Sequence, residues 1–256
     1  MKKEYKRTNY PSDLTDRQWE KIEKFFPSGN KSKYHKRNLV EAVMYVVKTG
    51  CQWRSLPHDY PPYSTVYNFY SRAKQKGTWE KVMQFLVRET RIKAGRNAEP
   101  NYALIDSQSV KTAYRSDKKG YDGGKKTKGI KRHIVTDIMG NILAVNVHKA
   151  NQHDTKGGIF VFEKALFLYP RIIAGCADEG YRGTFKNTFE EFHNIRIDIS
   201  KQIKPIFEVL PKRWRIERTF SWFGGYRRLS KDFEYLSLSE ENIIYISHAH
   251  LLLSRL

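Results

Sequence analysis

Cysteine is scarce in this sequence: two residues in 256, Cys51 and Cys176. They stand far apart and outside any CxxC spacing, which argues against a cysteine-ligated zinc site and against a disulfide framework. Two reduced, partly buried thiols are expected instead. Long apolar runs are missing too. No stretch approaches the ~20 apolar residues of a membrane span, and no apolar core of a secretory signal follows the basic residues 1–7. The expectation is a soluble, nucleoid-associated protein of a bacterial cytoplasm, with no membrane partner. Acidic residues are outnumbered, 27 Asp and Glu against 47 Lys and Arg, for a formal net charge of +20. A surface this basic seeks a polyanion, and nucleic acid is the commonest one. Repeats and low-complexity tracts are also lacking, while 39% hydrophobic and 14% aromatic residues suffice for packed cores and exclude wholesale disorder.

Up to about residue 96 the apolar spacing is helical. Thr15 and Gln18 form a capping box, with Leu14 and Trp19 in the staple positions, heading a helix through Ile22 that stops at Pro27. A second helix carries Leu39, Val43, Val46 and Val47 and ends near Gly50. After Pro61-Pro62, Ser64 is placed to cap a third helix bearing Val66, Phe69, Tyr70 and Ala73. Val82, Phe85, Leu86 and Ile92 suggest a fourth. With Lys33, His35, Lys36 and Arg37 nearby, residues 1–96 form a candidate helix-turn-helix-like DNA-binding domain whose third helix offers Tyr67, Asn68 and Arg72 to DNA. A helical packing domain with a solvated basic face is the plainer alternative.

Residues 95–100 read as a linker, and over 97–256 the pattern changes. Short β-type runs fall at 102–105, 132–137, 142–148, 172–177 and 195–199. Helical runs fall at 159–168, bounded by Gly157-Gly158 and Pro170, at 185–192, and from about Pro211. The order β-β-β-α-β-α-β-α predicts an α/β, RNase H-like fold: a mixed five-stranded sheet flanked by helices, preceded by the small all-α domain.

Three carboxylates occupy telling places in that order. Asp106 directly follows the first strand, Asp178 the fourth, and Glu217 lies on the helix after the fifth. The separations of 72 and 39 residues rule out a local turn, but the first and fourth strands are neighbours in such a sheet. Three hard oxygen ligands suit Mg²⁺, with Mn²⁺ as a substitute. Two such ions serve in-line phosphodiester displacement, one activating the nucleophile and one steadying the leaving oxygen. Singly, an Asp at a strand end is most often a cap or turn former; the case rests on all three falling in register with the fold.

On the helix of Glu217, Arg213, Ser221, Gly224-Gly225 and Arg228 share the polar stripe, while Ile216, Phe220 and Phe223 line an apolar face. Arg213 either pairs with Glu217 at i,i+4 or grips a DNA phosphate. Gly224-Gly225, costing about 1 kcal/mol each inside a helix, either ends the helix or admits a DNA backbone. Residues 111–132 hold nine Lys/Arg against two Asp, a net of +7, threaded with glycine. This segment is expected to be a loop that clamps phosphates through Lys111, Lys125, Lys126, Lys128, Lys131 and Arg132, with salt-sensitive affinity; a merely solvated loop is the alternative. Asp154 is expected as an N-cap, with support of the metal site as the sharper option. His248 and His250 are expected to pack.

Five linked blocks carry a resemblance: Ile105-Asp106-Ser107-Gln108-Ser109-Val110-Lys111; Gly120-Tyr121-Asp122-Gly123-Gly124-Lys125-Lys126, continuing to Lys131-Arg132-His133; Ala177-Asp178-Glu179-Gly180-Tyr181-Arg182-Gly183; Arg213-Trp214-Arg215-Ile216-Glu217-Arg218-Thr219-Phe220; and Tyr226-Arg227-Arg228-Leu229-Ser230-Lys231-Asp232. With Trp53-Arg54-Ser55-Leu56-Pro57 they span nearly the whole chain and resemble DDE transposases of bacterial insertion sequences. The resemblance implies that Asp106, Asp178 and Glu217 are the catalytic, metal-holding residues and that the N-terminal domain binds terminal inverted repeats. It also implies that a homodimer or larger synaptic complex cuts the ends and joins their 3′-hydroxyls to target double-stranded DNA. Of the family's Tyr-x2-Arg-x3-Glu-x6-Lys pattern, Arg213 matches, but Leu210 stands for the Tyr and Gly224 for the Lys. Arg227, Arg228 and Lys231 are then the candidates for the missing phosphate grip. Two further readings are an end-binding repressor descended from such an enzyme, against which the intact carboxylates argue, and an RNase H-like structure-selective nuclease.

Overall fold

The computed structural model describes residues 9–27, 33–200 and 214–256. Its first part is helical: α1 (Asp16–Ile22), α2 (Lys36–Thr49), α3 (Tyr63–Gln75) and α4 (Thr78–Lys93). The capping box closes as expected, Thr15 Oγ1 accepting from Gln18 N–H and Gln18 Oε1 from Thr15 N–H, and both staple residues, Leu14 and Trp19, are buried. α2 ends where Gly50 turns left-handed at φ 71°, a conformation that suits glycine. Helix α3 begins one residue before Ser64, with Pro62 in the cap position and no side-chain cap.

Six strands follow: β1 (Tyr102–Lys111), β2 (Gly120–Asp122), β3 (Thr127–Asp137), β4 (Ile142–Lys149), β5 (Ala174–Asp178) and β6 (Arg196–Ser200). They interleave with α5 (Asp154–Leu168), α6 (Thr184–Phe192), α7 (Trp214–Phe223) and α8 (Ser237–Leu253). β3 carries β2 and β4 on one edge and β1 on the other, and β5 and β6 continue beyond β1. The first three contacts are antiparallel and β1–β5–β6 parallel, the mixed, helix-flanked sheet expected of an RNase H-like fold.

The sheet has one strand more than the five expected, because residues 111–132 are not a free loop. β1 runs on to Lys111 and β3 starts at Thr127. Asp122 organises the hairpin between them by accepting from Ser109 Oγ at 2.5 Å and from Lys125 N–H at 3.0 Å. Helix α5 also departs from expectation. It starts at Asp154 and contains Gly157 and Gly158 instead of being bounded by them. The opposite holds for Gly224-Gly225: α7 ends at Phe223, just before them. The start expected for that helix, near Pro211, lies outside the described residues.

Period-two alternation sorts each strand between two layers. Ile105 lies under Gly158 of α5, and Ser107 bonds Asp154 of α5, so the odd residues of β1 face α5. In β3, Arg132 instead reaches Glu240 of α8 on the opposite side. α8 is buried almost all round, as a helix apolar on every side must be, because it packs against α2 and α4 as well as β4. One continuous buried cluster therefore runs from Leu14 to Leu253 across the 96/97 boundary. Polar ties cross it too: Arg91 Nη1 to Asp137 Oδ2 at 2.5 Å and Lys74 Nζ to Ser239 Oγ at 2.9 Å.

Candidate active site

β1 is the middle of the sheet, and its parallel pairing with β5 aligns Tyr102 with Ala174, Ala103 with Gly175 and Leu104 with Cys176. The offset is constant at 174 − 102 = 72. Asp106 and Asp178 differ by the same 178 − 106 = 72. The pairing ends at Leu104–Cys176, and Asp106 and Asp178 each follow it by two residues, which by alternation turns both toward the sheet face opposite α5. Each is half-buried and oriented by its own chain. Asp106 Oδ1 accepts from Ser107 N–H at 2.7 Å. Asp178 Oδ1 accepts from Gly180 N–H at 2.9 Å, capping the short 3-10 turn Glu179–Tyr181.

Glu217 lies in the first turn of α7 with its side chain exposed. α7 buries Ile216, Thr219 and Phe223 and fastens to the β3–β4 turn, Thr219 Oγ1 donating to Gly140 O at 2.8 Å and Arg218 Nη2 to Met139 O at 2.9 Å. That turn stands at the level of Ala103, which pairs with Asp137, about 10 Å along the strand from Asp106. Among the described residues, no group of three or more His, Cys, Asp or Glu side chains is close enough to hold a metal ion. The structure thus brings Asp106 and Asp178 to one sheet end and places Glu217 on a helix that contacts β1, without closing the three into one ligand set.

Asp154 is not the N-cap. That position is taken by His153, whose Nδ1 accepts from Thr155 N–H. The Asp154 carboxylate accepts from Ser107 Oγ at 2.9 Å and Lys131 Nζ at 2.8 Å. Burial opposes its ionisation, but the Lys131 ammonium and the Ser107 hydroxyl outweigh burial and hold it below the ordinary carboxylate range. Beside Asp154, Asp106 and Asp178 bring two further carboxylates to this strand end. Paired oxygen donors of this kind fit a hard divalent cation.

Three further residues gather at this end: Tyr181 and His133, which stood in the linked sequence blocks without a role, and His148, which stood in none. His133 Nε2 lies 2.5 Å from the Tyr181 hydroxyl and His133 Nδ1 2.7 Å from His148 Nε2. Burial, with His148 alongside, holds His133 well below its usual value. Burial likewise pushes the Tyr181 phenol up, and the charges of Asp106, Asp154 and Asp178 add to the effect. The sequence signal for Tyr181 and His133 was their place in those blocks; His148, inside a β-type run, carried none.

Of the residues expected at DNA, Lys111, Lys125, Lys126 and Lys128 stand exposed along the β1–β2–β3 edge. Lys125 Nζ reaches back to Ser107 O at 3.0 Å, one residue from Asp106. Arg227 and Lys231 are exposed beyond α7, and Tyr67, Asn68 and Arg72 on the outer side of α3. Three others correct the expectation. Lys131 is only 5% exposed and is spent on Asp154. Arg132, at 1%, bonds Glu240 Oε1 at 2.7 Å and Leu229 O at 2.9 Å. Arg228, at 8%, bonds Glu234 Oε1 at 2.8 Å. Cations neutralised inside the fold do not meet DNA phosphates, and a charge count cannot tell them from solvated ones. Arg213 lies outside the described residues. No helix among the described residues is long and apolar enough to cross a membrane.

Residues 98–252 match the family model of the transposase DDE domain, and residues 14–83 match a transposase model of the IS4/5 family. The chain is also similar to the uncharacterized protein y4sN of Sinorhizobium fredii (strain NBRC 101917 / NGR234), 30% identical over 102 residues, which cover 38% of this chain and 75% of that relative.

Proposed function

Because the chain belongs to the DDE transposases, we propose that it binds the terminal inverted repeats of an insertion sequence, cuts the element's ends and joins them to target DNA. Asp106, Asp178 and Glu217 are the carboxylates of that chemistry. The observation that carries this reading is that Asp106 and Asp178 each stand two residues past the last pair of adjoining parallel strands, inside the segment that matches the DDE domain.

Asp106 and Asp178 would hold divalent ions, Mg²⁺ in the cell and Mn²⁺ as a substitute, with Glu217 as the third carboxylate. Such ions, when bound, supply charge stabilisation at the attacking and leaving oxygens. The chain's own residues do the rest. Exposed Lys111, Lys125, Lys126 and Lys128 hold the phosphate backbone against the strand ends, and the outer side of α3, with Tyr67, Asn68 and Arg72, reads the repeat. A water oxygen bonds to phosphorus as the P–O3′ bond at the element's end breaks, leaving a 3′-hydroxyl. That hydroxyl then attacks a target phosphorus and displaces the target's own 3′-oxygen. Joining two ends requires two active sites, hence a homodimer or larger synaptic complex.

The test is cleavage of DNA carrying the element's own ends, comparing wild type with Asp106→Asn, Asp178→Asn and Glu217→Gln in Mg²⁺ and in EDTA. Metal-dependent cutting by wild type, with each variant binding the ends but not cutting, is expected. An amide variant that cuts normally removes that residue from the catalytic set. Wild type that binds the ends and never cuts makes the protein an end-binding repressor.

A further inference from the structure

Gly157 and Gly158 sit inside α5, where each costs about 1 kcal/mol relative to alanine. What passes beneath them gives the reason. A Cβ on Gly157 would overlap the His148 ring and lie 2.8 Å from His133 Nδ1; one on Gly158 would lie 2.7 Å from Tyr181 Cε1. The helix is thinned at the two residues that cover the Tyr181–His133–His148 row.

That row has only one consistent direction. His148 Nδ1 lies 3.0 Å from Lys149 O. A carbonyl only accepts, so His148 carries its proton on Nδ1, and its Nε2 in the neutral ring is an acceptor. The donor to it must be His133 Nδ1–H, 2.7 Å away. His133 Nε2 is then also an acceptor, and the Tyr181 hydroxyl, 2.5 Å away, must donate to it. One backbone carbonyl therefore dictates the proton positions of three side chains.

We propose that Tyr181, His133 and His148 form a positioning relay that pins the turn carrying Asp178. The effect follows from the turn. Asp178 caps Glu179–Tyr181 through Gly180 N–H, so anchoring Tyr181 fixes where the Asp178 carboxylate points. The inference rests on the metal site proposed above, and partners of this kind typically change metal affinity by about 10–100-fold when removed.

Two measurements on the full chain test it. Long-range ¹H–¹⁵N correlation spectra, with His133 and His148 assigned by His→Gln variants, are expected to show both rings protonated on Nδ1. A His133 protonated on Nε2 overturns the relay. Titration with Mn²⁺ alone, followed by the signal of the free ion, is expected to show Tyr181→Phe binding about 10-fold or more weakly than wild type while melting cooperatively. Unchanged Mn²⁺ affinity in that variant also overturns it. Asp178→Asn in the same titration separates the two readings: if it binds Mn²⁺ like wild type, the metal site falls, and the relay stands or falls on the tautomers.

Discussion

Arg132 and His133 are neighbours in β3, both almost wholly buried, and they look to opposite sides of the sheet. Toward α8, Arg132 meets Glu240 in a charged pair; toward α5, His133 joins a neutral, directional row of rings. The difference teaches what each side is for. A charged pair in a dry interior is held by mutual attraction barely exceeding its desolvation cost, and burial pushes the Glu240 carboxyl up to about 7 despite Arg132. Such a pair fastens α8 to the sheet but leaves charge in place. A neutral row adds no charge of its own near carboxylates proposed to gather cations.

The largest way to break this comparison is to remove half of the charged pair. Arg132→Met strands Glu240 and is expected to cost about 3–5 kcal/mol, read by denaturant unfolding. Adding Glu240→Leu should restore most of that loss, and if it does not, Arg132 acts chiefly through Leu229 O. Smaller is the effect of Gly157→Ala. On an ordinary helix it would stabilise by about 1 kcal/mol; here the methyl meets two histidine rings, so about 1–3 kcal/mol of destabilisation is expected. A rise in melting temperature would mean that the rings move aside freely.

The smallest expected effect separates the two faces by pH. Burial lowers His248, on the α8 side, to about 3 from its ordinary 6.5, and its Nε2 accepts from Ile142 N–H at 3.0 Å. The folded state therefore refuses a proton that the unfolded chain takes. The contribution is complete above pH 6.5 and declines as pH falls toward 3, by up to about 1.4 kcal/mol per pH unit. Glu240, shifted upward, works in the other direction, so the measurement is the difference between wild type and His248→Gln. Its amide oxygen can still accept from Ile142 but does not titrate. The gap is expected to change between pH 7 and pH 5; a constant gap would place the acid sensitivity elsewhere.

Much of the architecture was legible because it rests on repeating spacing. The capping box at Thr15, the helix stop at Gly50 and the strand runs through Leu104, Val145 and Ile197 are local signals, and the structure honours them. The equal offset between β1 and β5 and between Asp106 and Asp178 was also present in the sequence, once the two strands were taken as neighbours. The unread parts depend on three-dimensional pairing. Lys131, Arg132 and Arg228 look like any other basic residues until Asp154, Glu240 and Glu234 arrive from distant segments. Gly157-Gly158 looks like a boundary until the rings beneath them are known. Strand β2 is three residues long, too short for any periodicity to announce.

α8 follows every other described element in chain order and touches both the helical part and the sheet. The consequence is one of timing. During synthesis at about 5–20 residues per second, α2, α4 and β4 emerge well before the helix that covers them, so their apolar surfaces wait seconds for it. Neither part can close its core early, and a nascent chain halted before Ser237 has not acquired the covering that makes the two parts one body.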